Sequence, residues 1–330
     1  MNRRDLLLRS LLAGAGTALP GAAALAAAED YPSRAITLVL PAQAGGALDI
    51  LGRAMADEMG RRLGQPVIVD NKPGAALMMG TNQVAKAPPD GYTIGLTLTQ
   101  AVVNNLFLMA KVPYDPRRDL AYISEVCTAQ VVLVVHPGLP VDSANALWEW
   151  ARANPGKASY GSWGAGSFPH VMGSHVARTR GLEMTHVPYK GEAPMLQDLV
   201  GGQLSWALGS LGSVRGFVAS GRLRALAVTG DKRLDDMPKV PTFPQAGLSD
   251  PELSVTGQVL MIAPAATPPA VLAKIEQTAL AALDTTAVRA RIQTIGMVAL
   301  GRGSVETRAR YDANFPLQEK LIRGLGIQVE

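Results

Sequence analysis

The stretch AITLVLPAQAGGALDILGRAMADEMGRRLG, residues 35–64, decides how the rest of the chain is read. Ala35 to Leu40 is a run of β-branched and leucine side chains, closed by Pro41, which has no N–H to offer a sheet ladder. From Ala47 the apolar residues recur with a helical period as far as Leu63, and Gly64 stops them. Strand, glycine loop and helix therefore follow in that order. The unit recurs downstream: Val67 to Asp70 precedes a helical pattern to about Lys86, and Tyr92 to Leu98 precedes one running through Leu108. Such alternation predicts an α/β fold on mostly parallel sheets with helices on both faces.

The pattern restarts after the apolar run Val131 to His136, broken by Pro137-Gly138. The spacing predicts a helix over Ser143–Ala153, a strand over Ala158–Tyr160, a helix over Ser167–Thr179 and a later strand over Ala225–Thr229. A proline-rich segment, Pro238 to Pro251, ends this series; Val255 to Ala263 then reads as a strand returning to the first lobe, with helix from Pro268 to the end. Two lobes suit this length better than one. Lobe I is expected over residues 29–128 plus 252–330 and lobe II over 129–251, with the hinge where the chain crosses near Cys127–Val131 and Asp250–Val255.

With 48% hydrophobic and 18% charged residues among 330, the chain can bury full cores and is not a disordered tail. Its formal net charge is +4, and half of that surplus comes from Arg3, Arg4 and Arg9 against Asp5. No basic stripe remains for a nucleic acid. The single cysteine, Cys127, closes no intrachain disulfide and builds no cysteine metal site. Residues 1–28 read as an export signal peptide: a basic start, an apolar run from Leu11 to Leu19, then small residues up to Ala28. Arg3-Arg4 leaves the twin-arginine and general secretory routes both open. Charges, glycines or prolines interrupt every later apolar run, so no transmembrane helix is expected.

Two glycine loops and one aromatic loop carry the chemistry. Pro41 to Gly46 joins a strand to a helix, which aims backbone N–H groups out of the sheet edge, where an anion is the natural guest. Tyr160 to Ser167 repeats the arrangement, with Ser167 positioned to cap the next helix and Pro169 in its first turn. Val187 to Gly191 offers the phenol of Tyr189 and the ammonium of Lys190. Gly-x-Ser-x-Gly, dinucleotide and phosphate-loop spacings are all missing, and no carboxylate pair stands out. His170 and His175, five residues apart, do not share a helix face as zinc ligands would. Neither metal nor cofactor is expected.

Taken in order, these motifs resemble the Bug family, the extracytoplasmic solute receptors of tripartite tricarboxylate transporters. The matching residues run from Tyr31-Pro32-Ser33-Arg34 through Gly45-Gly46-Ala47-Leu48-Asp49, Asn71-Lys72-Pro73-Gly74-Ala75, Pro89-Asp90-Gly91-Tyr92 and Tyr114-Asp115-Pro116. They continue with Tyr160-Gly161-Ser162, Gly166-Ser167, His170, Val187-Pro188-Tyr189-Lys190-Gly191, Leu226-Ala227-Val228-Thr229, Val240-Pro241-Thr242 and Thr267-Pro268. Nearly the whole chain beyond residue 28 is covered.

The resemblance implies a type II-like periplasmic-binding-protein fold that closes on a small carboxylate and hands it to a membrane permease. It implies a monomeric protein in the periplasm that is not an enzyme. The ligand-binding positions it carries over are Gly45, Gly46, Asp49, Thr97, Thr99, Ser162, Gly164, Gly166, Ser167, His170 and Tyr189. Asp49 is also read as a brace for its loop, because a carboxylate beside a bound anion repels it. Ala76, Leu77, Met78 and Met79 stand where the family has glycines and an asparagine, which points to a ligand with an apolar or aromatic body. Gln258 stands near the family's usual tryptophan, and Ser205 replaces its aspartate. Two rivals compete: a receptor that feeds a signalling partner, and an exported enzyme using His170 or Tyr189 as its acid or base.

Overall fold

The computed structural model describes residues 31–164, 166–230, 232–324 and 326. The proposed export segment lies outside the described residues. The first strand, β1 (Ile36–Leu40), leads into helix α1 (Ala47–Leu63), which ends on Gly64 at φ 69°, a left-handed turn that suits glycine. Then come β2 (Val67–Asn71), a single 3₁₀ turn at Ala75–Leu77, α2 (Met78–Ala85) and β3 (Thr93–Leu98). A π-helical turn at Gln100–Asn104 and α3 (Asn105–Leu108) precede the long β4 (Leu120–Ala129). The next elements are β5 (Val131–Val135), α4 (Ala144–Ala153), β6 (Ala158–Ser162), α5 (Phe168–Arg180), β7 (Met184–Pro188) and α6 (Glu192–Val200). The chain closes with β8 (Trp206–Ser210), α7 (Leu211–Ala219), β9 (Arg224–Val228), β10 (Gly257–Pro264), α8 (Pro269–Leu283), α9 (Thr286–Thr294), β11 (Val298–Arg302) and α10 (Ser304–Arg323).

These strands form two sheets, ordered β11-β4-β10-β3-β1-β2 and β7-β6-β8-β5-β9. Each is covered on both faces, so its central strands read as unbroken apolar runs. In β5, Val131, Leu133 and Val135 enter one core while Val132 and Val134 enter the core on the opposite face. β1 does the same in the first sheet, with Leu38 on one side and Val39 on the other. Fully burying such a side chain stabilises by roughly 1.5–3 kcal/mol.

The expectation of mostly parallel sheets needs correction. Pairing is parallel at β1/β2, β1/β3, β6/β7 and β6/β8, but antiparallel wherever β4, β5, β10 or β11 takes part. The cause is the crossing between sheets. β4 passes into β5 through Gln130 alone, and β10 brings the chain back alongside β4, so both sheets acquire strands that no helical crossover separates. The Thr128 and Thr256 hydroxyls meet at 2.6 Å, tying the two crossing segments together. Gln130 is buried there and donates its amide to the carbonyls of Thr229 and Lys232.

Two further differences concern the end of the chain. Residues beyond Pro268 are not helical throughout, since Val298–Arg302 is an edge strand paired with β4. The last turn of α10 leaves the first sheet's cores: Leu321 and Ile322 pack among the buried residues of the second sheet, beside Leu133 and Trp148. The Lys320 ammonium meets the buried Glu252 carboxylate at 2.6 Å in the same place. A third strap thus joins the two halves.

Candidate functional site

Between the sheets lies a cavity of about 420 Å³. One wall comes from the carboxyl end of β3 and the π turn, with Thr99, Gln100 and Asn104. The opposite wall is the second glycine loop and the start of α5, with Gly164, Gly166, Ser167 and Phe168. Thr256 and Gln258 from the crossing close the back, and Gln318 of α10 reaches in from the side. No Lys, Arg, His, Asp or Glu side chain lines it among the described residues. A π turn beside a cavity is a recurrent feature of functional sites.

The α5 wall supplies free donors. Ser167 occupies the N-cap position, yet its hydroxyl turns back to donate to the Gly164 carbonyl at 2.6 Å and makes no side-chain cap. Sequence reasoning expected that cap. Pro169 has no N–H, which leaves the Phe168 and His170 N–H groups without an acceptor among the described residues, at the positive end of a 13-residue helix with no acid in its first turn. The loop ahead of the helix is held rigidly. The Ser162 hydroxyl donates to the Gly164 carbonyl at 3.0 Å and shares a 2.7 Å bond with His186 Nε2. The Gly166 N–H donates to His170 Nδ1 at 3.0 Å, and the His170 and His186 rings stack with centroids 3.8 Å apart. Burial pushes His186 down to about 4, with neighbouring His170 adding to the effect, and burial also lowers His170. Both rings are therefore neutral near pH 7.

The first glycine loop is built differently. The Gly45 N–H is already taken by Asp49 Oδ2 at 2.8 Å, and Arg53 Nε reaches the same oxygen at 3.0 Å. The Asn71 amide donates to Asp49 Oδ1 at 3.0 Å and to the Ala42 carbonyl at 3.1 Å. The Arg53 guanidinium holds the buried Asp49 carboxyl below its usual range, helped by the Gly45 N–H and Asn71. Gly45 and Gly46 are exposed and do not line the cavity.

Of the remaining predicted positions, Thr99 reaches the cavity, where its hydroxyl accepts the Gln258 N–H at 3.0 Å. Thr97 is fully buried, its hydroxyl 2.8 Å from that of Thr81, and serves to pin β3 to α2. The Tyr189 hydroxyl donates to Asp198 at 2.7 Å, away from the cavity; burial and that carboxylate push it up to about 12. Met78 is buried, Met79 is exposed, and neither lines the cavity. Its apolar surface comes instead from Trp163 and Phe168 on one side and Leu98, Val259 and Met297 on the other. Sequence reasoning missed Asn104, Thr256 and Gln318, which sit in helices and crossings with no recognisable motif. Gln258 carried a signal as a departure from the family pattern. It is the near end of a buried chain: its amide donates to Glu125 at 2.9 Å, and Glu125 is held by Arg302 at 3.0 Å and Arg310 at 3.3 Å.

Two covered sheets, paired crossings and a cavity between them with donors on one wall define a two-lobe periplasmic-binding-protein fold. The match to known proteins is specific. Residues 51–323 fit the model of the tripartite tricarboxylate transporter family receptor, and the chain belongs to that family. It is 34% identical to Protein BugT of Bordetella pertussis over 272 residues, covering 82% of this chain and 83% of that protein. Among solved structures, a TctC solute binding protein from Polaromonas superposes with a TM-score of 0.80 at 26% identity, covering 89% of this chain and 99% of the other. The Rpa4515 protein of R. palustris, solved with adipate, gives 0.73 at 30% identity, covering 91% and 99%. Among the described residues no helix is long and apolar enough to cross a membrane.

Proposed function

We propose that this chain is an exported, non-catalytic receptor that takes up a small carboxylate between its lobes and presents the closed form to a tripartite tricarboxylate-type permease in the membrane. The observation that carries this reading is the uncapped start of α5, where Ser167 and Phe168 line a cavity that no charged side chain lines among the described residues. A carboxylate there gains two charge-assisted hydrogen bonds and the helix dipole. Adipate in a relative of the same family supports that ligand class.

The lobes in this reading are 29–128 plus 252–330 and 129–251, hinged at the paired Thr128 and Thr256 segments. Gly164, Gly166 and Ser167 hold the carboxylate from lobe II while Thr99 meets the ligand from lobe I. Ser162 and His170 shape the glycine loop. Gly45 and Gly46, stiffened by Asp49, approach on closure, and Thr97 and Tyr189 support the walls from behind. A ligand touching both lobes favours the closed form, and that differential contact is what the permease reads. The apolar lining provided by Trp163 and Phe168 suits a ligand with an apolar or aromatic body.

Calorimetric titration with a panel of aliphatic and aromatic acids, including adipate and citrate, tests the reading, and Trp163 fluorescence gives an independent signal. At least one acid is expected to bind with micromolar or better affinity, and deletion of the protein is expected to abolish uptake of that acid. A panel without any binder would refute the receptor reading, while binding of citrate alone would refute the apolar body. Unchanged uptake after deletion would refute the transport role.

A further inference from the structure

The cavity contains two amide side chains that have nothing to bond. Gln318 is 5% exposed and lines the cavity, yet its amide has no hydrogen-bond partner among the described residues. Asn104 Oδ1 is buried without a partner and lines the same space. Both also border a narrow side pocket of about 10 Å³, which Phe168, Val171 and Leu321 help to enclose. A buried amide oxygen such as Asn104 Oδ1 carries a desolvation cost until a donor reaches it. Gln258, lining the same cavity, has by contrast both ends of its amide engaged: Oε1 accepts from the Thr99 hydroxyl at 3.5 Å and Nε2 donates to Glu125 at 2.9 Å. Asn104 and Gln318 thus share one cavity with the start of α5, and both remain free to meet a ligand held there.

We propose that Asn104 and Gln318 form the specificity end of the cleft, and that they select a monocarboxylate whose far end carries a neutral hydroxyl or carboxamide. The inference rests on the receptor reading above and narrows its substrate class. Its chemical basis is complementarity. A primary amide offers one acceptor oxygen and two N–H donors, so a pair of them needs a partner that can both donate and accept. A hydroxyl or carboxamide does both. An ionised carboxylate only accepts, leaves the amide oxygens unpaired, and would be buried with no cation along the cavity wall. A methyl terminus satisfies neither amide. Trp163 and Phe168 line the same cavity and offer apolar surface to the stem of the ligand.

The test uses three acids of equal length on the full-length protein: hexanoate, 6-hydroxyhexanoate and adipate, each titrated calorimetrically. The hydroxy acid is expected to bind about tenfold more tightly than hexanoate, the worth of one well-made neutral hydrogen bond, and more tightly than adipate. Gln318→Leu is expected to erase that preference while keeping hexanoate binding, and Gln318→Met serves as a second variant, with thermal unfolding confirming that each one folds. Tightest binding of adipate, or a hydroxyl preference that survives both variants, would overturn the specificity assignment and leave the receptor reading intact. Failure of all three acids, together with the wider panel, would bring down both.

Discussion

Two helices in this protein start in the same way and are finished differently. α1 and α5 each follow a strand and a glycine loop, and each has an N-cap residue that makes no side-chain cap. In α1 the first turn contains Asp49, which takes the Gly45 N–H and is anchored by Arg53 and Asn71, so the chain's own carboxylate occupies the anion position. α5 has no acid in its first turn, and its N-cap Ser167 and first residue Phe168 line the cavity. A glycine loop ahead of a helix is thus not an anion site by itself. What stands in the first helical turn decides whether the site is filled from within or left for a guest.

Paired substitutions put the greatest pressure on that contrast. Gly166 and Gly45 both have left-handed backbones, at φ 73° and 82°. Alanine at either position costs roughly 1–2 kcal/mol of backbone strain. Gly166 is buried and its N–H fixes His170, whereas a Cβ at Gly45 meets nothing within 4 Å. Gly166→Ala is expected to weaken binding of six-carbon acids by about tenfold or more, equivalent to about 1.4 kcal/mol. For Gly45→Ala the expected change in affinity stays within about twofold. Calorimetry reads both, and equal losses would show that the two loops share the carboxylate.

Proton uptake sharpens the same comparison with a smaller effect, because only the second loop leans on titratable rings. Its folded-state imidazoles lie below the ordinary value of 6.5, His186 at about 4, so the unfolded chain binds protons first as the pH falls. The stability contributed is complete above pH 6.5 and is lost progressively down to about pH 4. Protonating His170 Nδ1 also breaks its bond from the Gly166 N–H, so affinity for the acid should decline as the pH falls below the ordinary histidine value. Unfolding temperature and affinity measured between pH 7 and 4 check this, and His186→Asn should flatten the stability profile. An affinity that stays constant while stability falls would separate the histidine stack from the site.

How far the sequence was legible follows from the range of the signals. Ala47 to Leu63 was readable to the residue because period, loop glycines and a terminal glycine all agree locally. β11 was not: Val298 to Arg302 is short, follows a helix, and becomes a strand only because β4 offers it an edge. The antiparallel strands escaped for the same reason, since the crossing at Gln130 is a tertiary event with no local mark. At the site, the loop around Gly164 and Gly166 announced itself by composition. Asp49 was correctly suspected of bracing its loop because like charges repel. Asn104 and Gln318 lie 214 positions apart in the chain and meet the cavity only after three separate segments pack, so no spacing rule could pair them. Met78 and Met79 misled in detail, since their apolar character points elsewhere and other residues line the cavity.

The smallest expected effect concerns the segment where this chain departs from the family's glycines. Ala75, Ala76 and Leu77 hold φ values of 45°, 49° and 74°, three successive left-handed residues with side chains. Each costs roughly 1–2 kcal/mol relative to a relaxed backbone. The segment is held from outside: the Asn105 amide donates to the Ala76 carbonyl at 2.8 Å and the Thr81 hydroxyl donates to the Leu77 carbonyl at 3.0 Å. Ala76→Gly relieves one strained residue but gives the unfolded chain more freedom, a penalty of roughly 0.5–1 kcal/mol. The net expectation is a gain of about 0.5 kcal/mol in a urea unfolding curve, with acid affinity unchanged, because this segment does not line the cavity. A change in affinity without a change in stability would mean that the strained turn reaches the ligand on closure, and lobe I would then contribute backbone contacts after all.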